Sequence, residues 1–143
     1  MTRGFTLIEL VVTLFILSLA ATVVAPSVVT GVETLRARTE AAGIATFLRV
    51  AREQAVTHNR AYEVRVKSDE GIVELRAGDS VTATRRLAAG VRVTADPSPA
   101  RTITFLPQGL SSGTRLRVEM AGRGYLITVD PLTGRVATRR LDA

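Results

Sequence analysis

Glu9 is the residue whose setting most constrains this chain. It stands near the start of an otherwise apolar run, Phe5-Thr6-Leu7-Ile8-Glu9-Leu10-Val11-Val12-Thr13-Leu14-Phe15-Ile16-Leu17-Ser18-Leu19-Ala20-Ala21-Thr22-Val23-Val24-Ala25, and no charge follows it from Leu10 to Val32. A carboxylate inside a membrane helix costs about 2.5–3.5 kcal/mol at the centre on insertion scales, and less near the edge. The chemistry open to such a group is ion pairing, and the apolar segment contains no cation. Its partner must come from another molecule or from a chain terminus.

A second set of chemically capable residues is basic. Of the 19 cations 18 are Arg and one is Lys67, against 13 acids, for a formal net charge of +6. Residues 101–143 carry Arg101, Arg115, Arg117, Arg123, Arg135, Arg139 and Arg140 against Glu119, Asp130 and Asp142. A basic strand over Arg135–Arg140 offers an edge that could meet phosphates. It also reads as a solvated edge whose charges discourage strand-to-strand aggregation. Tyr125 is the only aromatic residue near it in sequence, which disfavours readout by base stacking.

Catalysis has little to work with. There is no Cys, so there is no disulfide framework, thiolate metal site or Cys nucleophile, and His58 is the only His. Ser111-Ser112 sits in a Gly-bounded loop and lacks the flanks of a nucleophile elbow. Gly122-Arg123-Gly124 is followed by no helix, so it does not read as a phosphate loop. Asp69, Glu70 and Asp79 flank turns without calcium-loop spacing. The sequence implies no enzyme, no cofactor and no metal.

The elements that must position these residues fall into two regimes. The apolar run meets the roughly 20 residues needed to cross a bilayer core. Arg3 precedes it and no cation follows before Arg36, which keeps the N-terminus cytoplasmic. A cleavable signal peptide is disfavoured by the length of the run and by Pro26 directly after Val23-Val24-Ala25. From Val32 to Asn59 the pattern turns amphipathic, with Val32, Leu35, Ala41, Ile44, Ala45, Leu48, Ala51, Ala55 and Val56 at three- and four-residue steps. Asn59 is a tolerated left-handed cap. One helix from near Phe5 to Asn59 would be roughly 80 Å long, so its first half should project from a small domain.

Beyond Asn59 the period becomes two. Strands are expected at Tyr62–Lys67, Ile72–Ala77, Val81–Leu87, Val91–Ala95, Thr102–Leu106, Arg115–Met120, Tyr125–Asp130 and Arg135–Arg139, separated by turn clusters such as Ser68-Asp69-Glu70-Gly71, Asp96-Pro97-Ser98-Pro99 and Asp130-Pro131-Leu132-Thr133-Gly134. Short turns make these antiparallel hairpins with one wet face each. The apolar stripe of the helix is the natural cover for the dry faces.

Gly4-Phe5-Thr6-Leu7-Ile8-Glu9, followed by the uninterrupted apolar run, resembles the leader and start of type IV pilins and type II secretion pseudopilins. The resemblance implies a leader over residues 1–4, cleavage between Gly4 and Phe5 by prepilin peptidase, and N-methylation of Phe5. It implies that Glu9 pairs with the terminal amine of a neighbouring subunit, and that Pro26 falls where this family carries a helix-kinking proline. Phe47 to Asn59, Ile103 to Gly109 and Ile127 to Val136 are similar in order to segments of the GspH/FimT family of minor pseudopilins and pilins.

The fold so implied is α+β and pilin-like, a long N-terminal helix packed on antiparallel sheets. Residues 5–30 would form the transmembrane and filament-core helix, and residues 31–143 a periplasmic domain. The function implied is that of a non-enzymatic minor pseudopilin at or near the tip of a type II secretion pseudopilus. It would be anchored in the inner membrane with a cytoplasmic N-terminus, and its partners would be other pilins, the peptidase and secretion cargo. The alternative is a FimT-like minor pilin of a type IV pilus that binds DNA through Arg135, Arg139 and Arg140. FimT members linked to DNA uptake carry Gly-Arg-x-Arg near the C-terminus, whereas here Gly134-Arg135 is followed by Val136-Ala137 and the next arginine is Arg139.

Overall fold

The computed structural model describes residues 6–96 and 102–141, and within the first helix it describes the backbone but not the side chains of 23–30. The Asp96-Pro97-Ser98-Pro99 turn therefore lies largely outside the described residues. A single helix, α1 (Leu7–Thr57), is followed by eight strands, β1 (Tyr62–Lys67), β2 (Ile72–Ala77), β3 (Ser80–Arg86), β4 (Arg92–Asp96), β5 (Thr102–Phe105), β6 (Thr114–Met120), β7 (Arg123–Val129) and β8 (Val136–Leu141). Every expected element is present, with ends moved by at most two residues. The chain forms two compact units, divided between Thr34 and Leu35.

In the first unit the described side chains of α1 up to Thr22 are apolar apart from Glu9 and a few hydroxyls. Every described side chain from Thr6 to Thr22 is exposed, Leu7 at 82% and Ile8 at 71%. Helical backbone continues through Pro26, but the kink expected there depends on a side chain outside the described residues. Among the described residues no helix is long and apolar enough to cross a membrane. The described side chains of the apolar run end at Thr22, short of the roughly 20 residues that a bilayer core requires, so the span expected over 5–30 is not met within them.

In the second unit α1 buries one stripe, Ala37, Ala41, Ile44, Ala45, Leu48, Ala51 and Ala55, each at 1% exposure or less. The steps of three and four residues keep these on one face. Val32, Leu35 and Val56, expected in the same stripe, are exposed. The helical period explains the difference: Leu35 is about 200° round the helix from Ala37, and Val56 is about 100° from Ala55. The helix ends as expected. The Arg60 amide donates to the Ala55 carbonyl at 3.2 Å and the Asn59 amide to Val56 at 3.4 Å, with Asn59 at φ 48°. This paired closure uses a left-handed residue to satisfy the last carbonyls.

The strands form two four-stranded antiparallel sheets, ordered β3-β2-β1-β5 and β4-β6-β7-β8. The chain changes sheet three times, after β3, after β4 and after β5. Alternation sets the inward residues: Tyr62, Val64 and Val66 of β1, Val73 and Leu75 of β2, Ile103 and Phe105 of β5, Leu116 and Val118 of β6, and Ile127 and Val129 of β7. These join the alanine-rich stripe of α1 in one hydrophobic cluster. On the outer face of the first sheet Glu74 is 7% exposed and pairs with Lys67 at 2.9 Å. That hydrogen bond raises the Lys67 ammonium above its ordinary value, opposed by desolvation and assisted by Glu70.

Polar side chains of α1 tie the helix to both sheets. Glu40 pairs with Arg85 of β3 at 3.3 Å. A Cβ at Gly43 would overlap the Arg85 guanidinium, which explains a glycine in the middle of a helix. Arg49 Nη2 donates to the Val136 carbonyl at 3.3 Å. Arg52 Nε donates to the Thr133 carbonyl at 3.0 Å and lies 3.4 Å from that of Gly109, so one guanidinium holds the β5–β6 loop and the β7–β8 turn together. Asp130 organises that turn. Its Oδ1 accepts from the Thr133 amide at 2.8 Å, the Thr133 hydroxyl at 2.9 Å and the Leu132 amide at 3.0 Å. These bonds, the Thr133 amide first, hold the Asp130 carboxyl below the ordinary aspartate value.

Two predictions follow from this joint. Gly134 has φ +62°, and a Cβ there would overlap the Gly109 carbonyl oxygen and lie 2.8 Å from Arg52 Nε. Gly134→Ala should lower stability by about 2–4 kcal/mol, combining left-handed strain with overpacking. Gly122→Ala, at φ +73° with open space around it, should cost only the backbone strain, about 1–2 kcal/mol. Urea unfolding of both variants measures the difference. Because the folded pKa of Asp130 is depressed, its contribution is present above the ordinary aspartate range and is lost as pH falls from about 4 through the folded value. Asp130→Asn should flatten that part of a stability-versus-pH profile, and an unchanged acid slope would remove the carboxylate from the account.

Candidate assembly site

The Glu9 end of α1 is built by local backbone chemistry. Thr6 lies just before the helix, and its Oγ1 accepts the Glu9 amide at 3.3 Å. Thr6-x-x-Glu9 is thus an N-cap pair at capping-box spacing, a role absent from the sequence reading although its signature was in view. One turn later the Thr13 hydroxyl donates to the Glu9 carbonyl at 2.6 Å. The Glu9 carboxylate has no cation or hydrogen-bond donor among the described residues. It lies in the first turn, where the helix dipole favours negative charge. Gly4 and Phe5, where cleavage and methylation are expected, lie outside the described residues. What is present is a capped helix start bearing one anion and surrounded by exposed Leu7, Ile8, Leu10 and Val12.

The arginines singled out near the C-terminus are held on and beside β8. Antiparallel register pairs Arg139 with Leu126 and Arg140 with Tyr125, so these neighbours point to opposite faces of the sheet. Arg135 precedes the strand. Its carbonyl accepts the Asp130 amide at 3.0 Å and its own amide donates to Thr133 Oγ1 at 3.3 Å. All three side chains are exposed, and none has an ion-pair partner among the described residues. Arg115 and Arg117 differ: Arg115 is 4.0 Å from Asp96 and Arg117 is 3.4 Å from Glu119. Sheet formation therefore brings Arg139 and Arg140 to one edge without merging them into a single basic face.

The serine and histidine residues serve local structure. Ser111 is buried, with its hydroxyl donating to the Asp130 carbonyl at 2.9 Å and accepting the Gly113 amide at 3.1 Å. Ser112 Oγ accepts the Thr104 amide at 3.1 Å. His58 Nδ1 lies 3.1 Å from the Gln54 carbonyl, and its ring is 6.1 Å from that of Tyr62. Gly122-Arg123-Gly124 opens β7 after a tight turn with positive φ at Ala121 and Gly122. An open depression of about 320 Å³ beside that turn is lined by Gly90, Arg92 and Glu119 among others. Among the described residues no group of three His, Cys, Asp or Glu side chains could hold a metal ion.

The architecture matches known proteins. The family described as Type II transport protein GspH matches over residues 40–133, and the prokaryotic N-terminal methylation motif over residues 1–25. Among solved structures, the type IV minor pilin FimU of Pseudomonas aeruginosa aligns with a TM-score of 0.64 at 17% identity, covering 78% of this chain and 96% of that one. The minor pseudopilin EpsH of the Vibrio cholerae type II secretion system aligns at 0.61 and 15% identity, over 78% of this chain and 99% of that one. The solution structure of E. coli GspH aligns at 0.53 and 13% identity, over 74% and 89%. No curated protein matches the chain in sequence. At such identities the structural likeness establishes the α+β pilin-like fold. With the family matched over residues 40–133 of 143, the chain belongs to the GspH family of type II transport proteins.

Proposed function

We propose that this chain is a minor pseudopilin subunit of a type II secretion pseudopilus, placed at or near its tip and supporting protein export across the outer membrane. The observation that carries the reading is the joining, in one chain, of an N-terminal methylation motif over residues 1–25 to a GspH match over residues 40–133. The role is assembly, not catalysis. Prepilin peptidase cuts between Gly4 and Phe5 and methylates the new amine. The apolar helix over 5–30 holds the subunit in the inner membrane, N-terminus cytoplasmic and residues 31–143 periplasmic, until it enters the filament.

The mechanism turns on Glu9. Its carboxylate has no partner among the described residues, and every described side chain around it is apolar or a small hydroxyl. An unpaired charge in an apolar medium is costly, and pairing it with an opposite charge relieves the penalty on both. The methylated Phe5 amine of a neighbouring subunit supplies that charge in a membrane otherwise poor in cations. A subunit out of register leaves two buried ions unpaired, so the pair selects the assembled position. The remaining contacts are made by other pilins and by cargo.

A second reading, a FimT-like minor pilin of a type IV pilus that binds DNA, is favoured by the three exposed arginines at β8 that have no ion-pair partner among the described residues. One measurement tests the assembly mechanism and a second separates the two readings. Glu9→Ala should leave folding and leader cleavage intact and abolish incorporation into the filament; normal secretion by a strain carrying it would sink the assembly mechanism. Residues 31–143 should pass through a DNA column at low salt on the secretion reading. Retention that weakens steeply with salt and is lost in Arg135→Ala, Arg139→Ala and Arg140→Ala would instead support the DNA-binding reading.

A further inference from the structure

Two four-stranded sheets have four edges, and three of them are blunted. The β3 edge carries an irregularity, with the β2–β3 register shifting between Leu75 and Arg76. Such a bulge twists an edge away from further pairing. The four-residue β5 is bridged at Phe105 by Ser111, and Ser112 bonds Thr104 through both its amide and its hydroxyl. On β4 the Val93 carbonyl is occupied inside the strand by the Ser68 hydroxyl at 2.7 Å, whereas the contact of this kind on β8, from Arg49 to the Val136 carbonyl, falls on its first residue. The fourth edge, β8, runs six residues with no register shift against β7, and Ala137, Thr138, Arg139 and Arg140 are all exposed.

The ladder shows which groups of β8 point outward. The Asp130 amide donates to the Arg135 carbonyl, so bonded pairs recur at alternate positions: Thr128 with Ala137, Leu126 with Arg139, and Gly124 with Leu141. Val136, Thr138 and Arg140 therefore turn their N–H and C=O groups away from β7. The Arg49 side chain reaches the Val136 carbonyl at 3.3 Å, as this alternation requires. Among the described residues nothing bonds the outward N–H and C=O groups of Thr138 and Arg140, which are spaced as the next strand of a sheet would need them.

Charge then selects the occupant. A second copy of β8 would bring four arginines to one seam, directly opposed when the pair is centred on Arg139 or Arg140, and like charges across a strand pair are destabilising. An acidic strand meets both arginines on their respective faces. We propose that the β8 edge is a β-augmentation site that takes an extended acidic segment of a partner protein as a fifth strand of the second sheet. Main-chain bonds to Thr138 and Arg140 give the affinity, and carboxylates facing Arg139 and Arg140 give the selectivity. This proposal does not depend on the filament reading, and either can fail alone.

The test uses the full chain in detergent micelles with two octapeptides, a Glu-Val peptide of two Glu-Glu-Val-Val repeats, which presents carboxylates on both faces of a strand, and a Glu-Pro peptide of two Glu-Glu-Pro-Pro repeats. They carry the same charge, but the second cannot supply a ladder of amide donors. The Glu-Val peptide should bind at least about tenfold more tightly and slow hydrogen exchange at the Thr138 and Arg140 amides. Thr138→Pro removes an outward donor from an edge strand and leaves both arginines in place; it should abolish the preference between the peptides. Joint replacement Arg139→Glu and Arg140→Glu should transfer binding to a Lys-Val peptide. Equal binding of the two acidic peptides, protection confined to other residues, or no binding at millimolar peptide would overturn the proposal. So would binding of an oligothymidine octamer in place of the Glu-Val peptide, which would assign the edge to nucleic acid.

Discussion

Everything in the second unit depends on one narrow helical face. Neither sheet closes on itself, and each has a dry side that must be covered. The cover is a stripe in which five of seven residues are alanine, at Ala37, Ala41, Ala45, Ala51 and Ala55, with Ile44 and Leu48 between them. Alanine suits this place for two reasons. It is the strongest helix former, and its small side chain lets valines, isoleucines and Phe105 from two sheets approach one helix within packing distance. A protein with four Phe, two Tyr and no Trp cannot fill its core with aromatic bulk. It reaches full burial by bringing backbones close instead.

Close approach has a polar counterpart. A helix covering two sheets brings loop carbonyls within reach that no strand satisfies, and arginines supply the donors. Arg52 serves Thr133 and is near Gly109, Arg49 serves Val136, and Arg85 returns from β3 to Glu40. Part of the basic excess that suggests a binding surface is thus spent inside the fold. Of the exposed arginines without a described partner, Arg135, Arg139 and Arg140 lie on or beside β8, and Arg36, Arg38, Arg86 and Arg92 lie elsewhere. Net charge alone is a poor guide to a basic surface, because the long guanidinium side chain is equally fit to bridge structural elements.

The sequence made the elements legible because each carried its own local chemistry. Asn59 marked the helix end, and Gly71, Gly78, Gly122 and Gly134 marked turns that do need positive φ. Alternation placed every strand within two residues. What a linear reading missed depends on angle or on distant neighbours. Leu35 and Val56 fit the spacing of an apolar stripe yet fall outside the arc the sheets cover. Spacing does not distinguish Glu40 and Arg49 from solvent-facing polar residues, although Gly43 in the middle of a helix marks the place where Arg85 lies across it. At the candidate assembly site Glu9 stands out through its apolar surroundings. The Thr6 cap beside it was less conspicuous because a hydroxyl in an apolar run costs little.

The passage of the chain between the two sheets has a consequence for how the protein comes to be folded. β4 joins the second sheet before β5 returns to complete the first, and β1 waits for a partner more than forty positions away, Tyr62 opposite Phe105. The first sheet is complete once β5 reaches β1, when the second still lacks β6, β7 and β8. Closing such distant pairs is slow relative to local structure. A chain emerging N-terminus first stays incomplete until its last strand arrives. Once β8 is in place, both sheets and the stripe of α1 share one hydrophobic cluster.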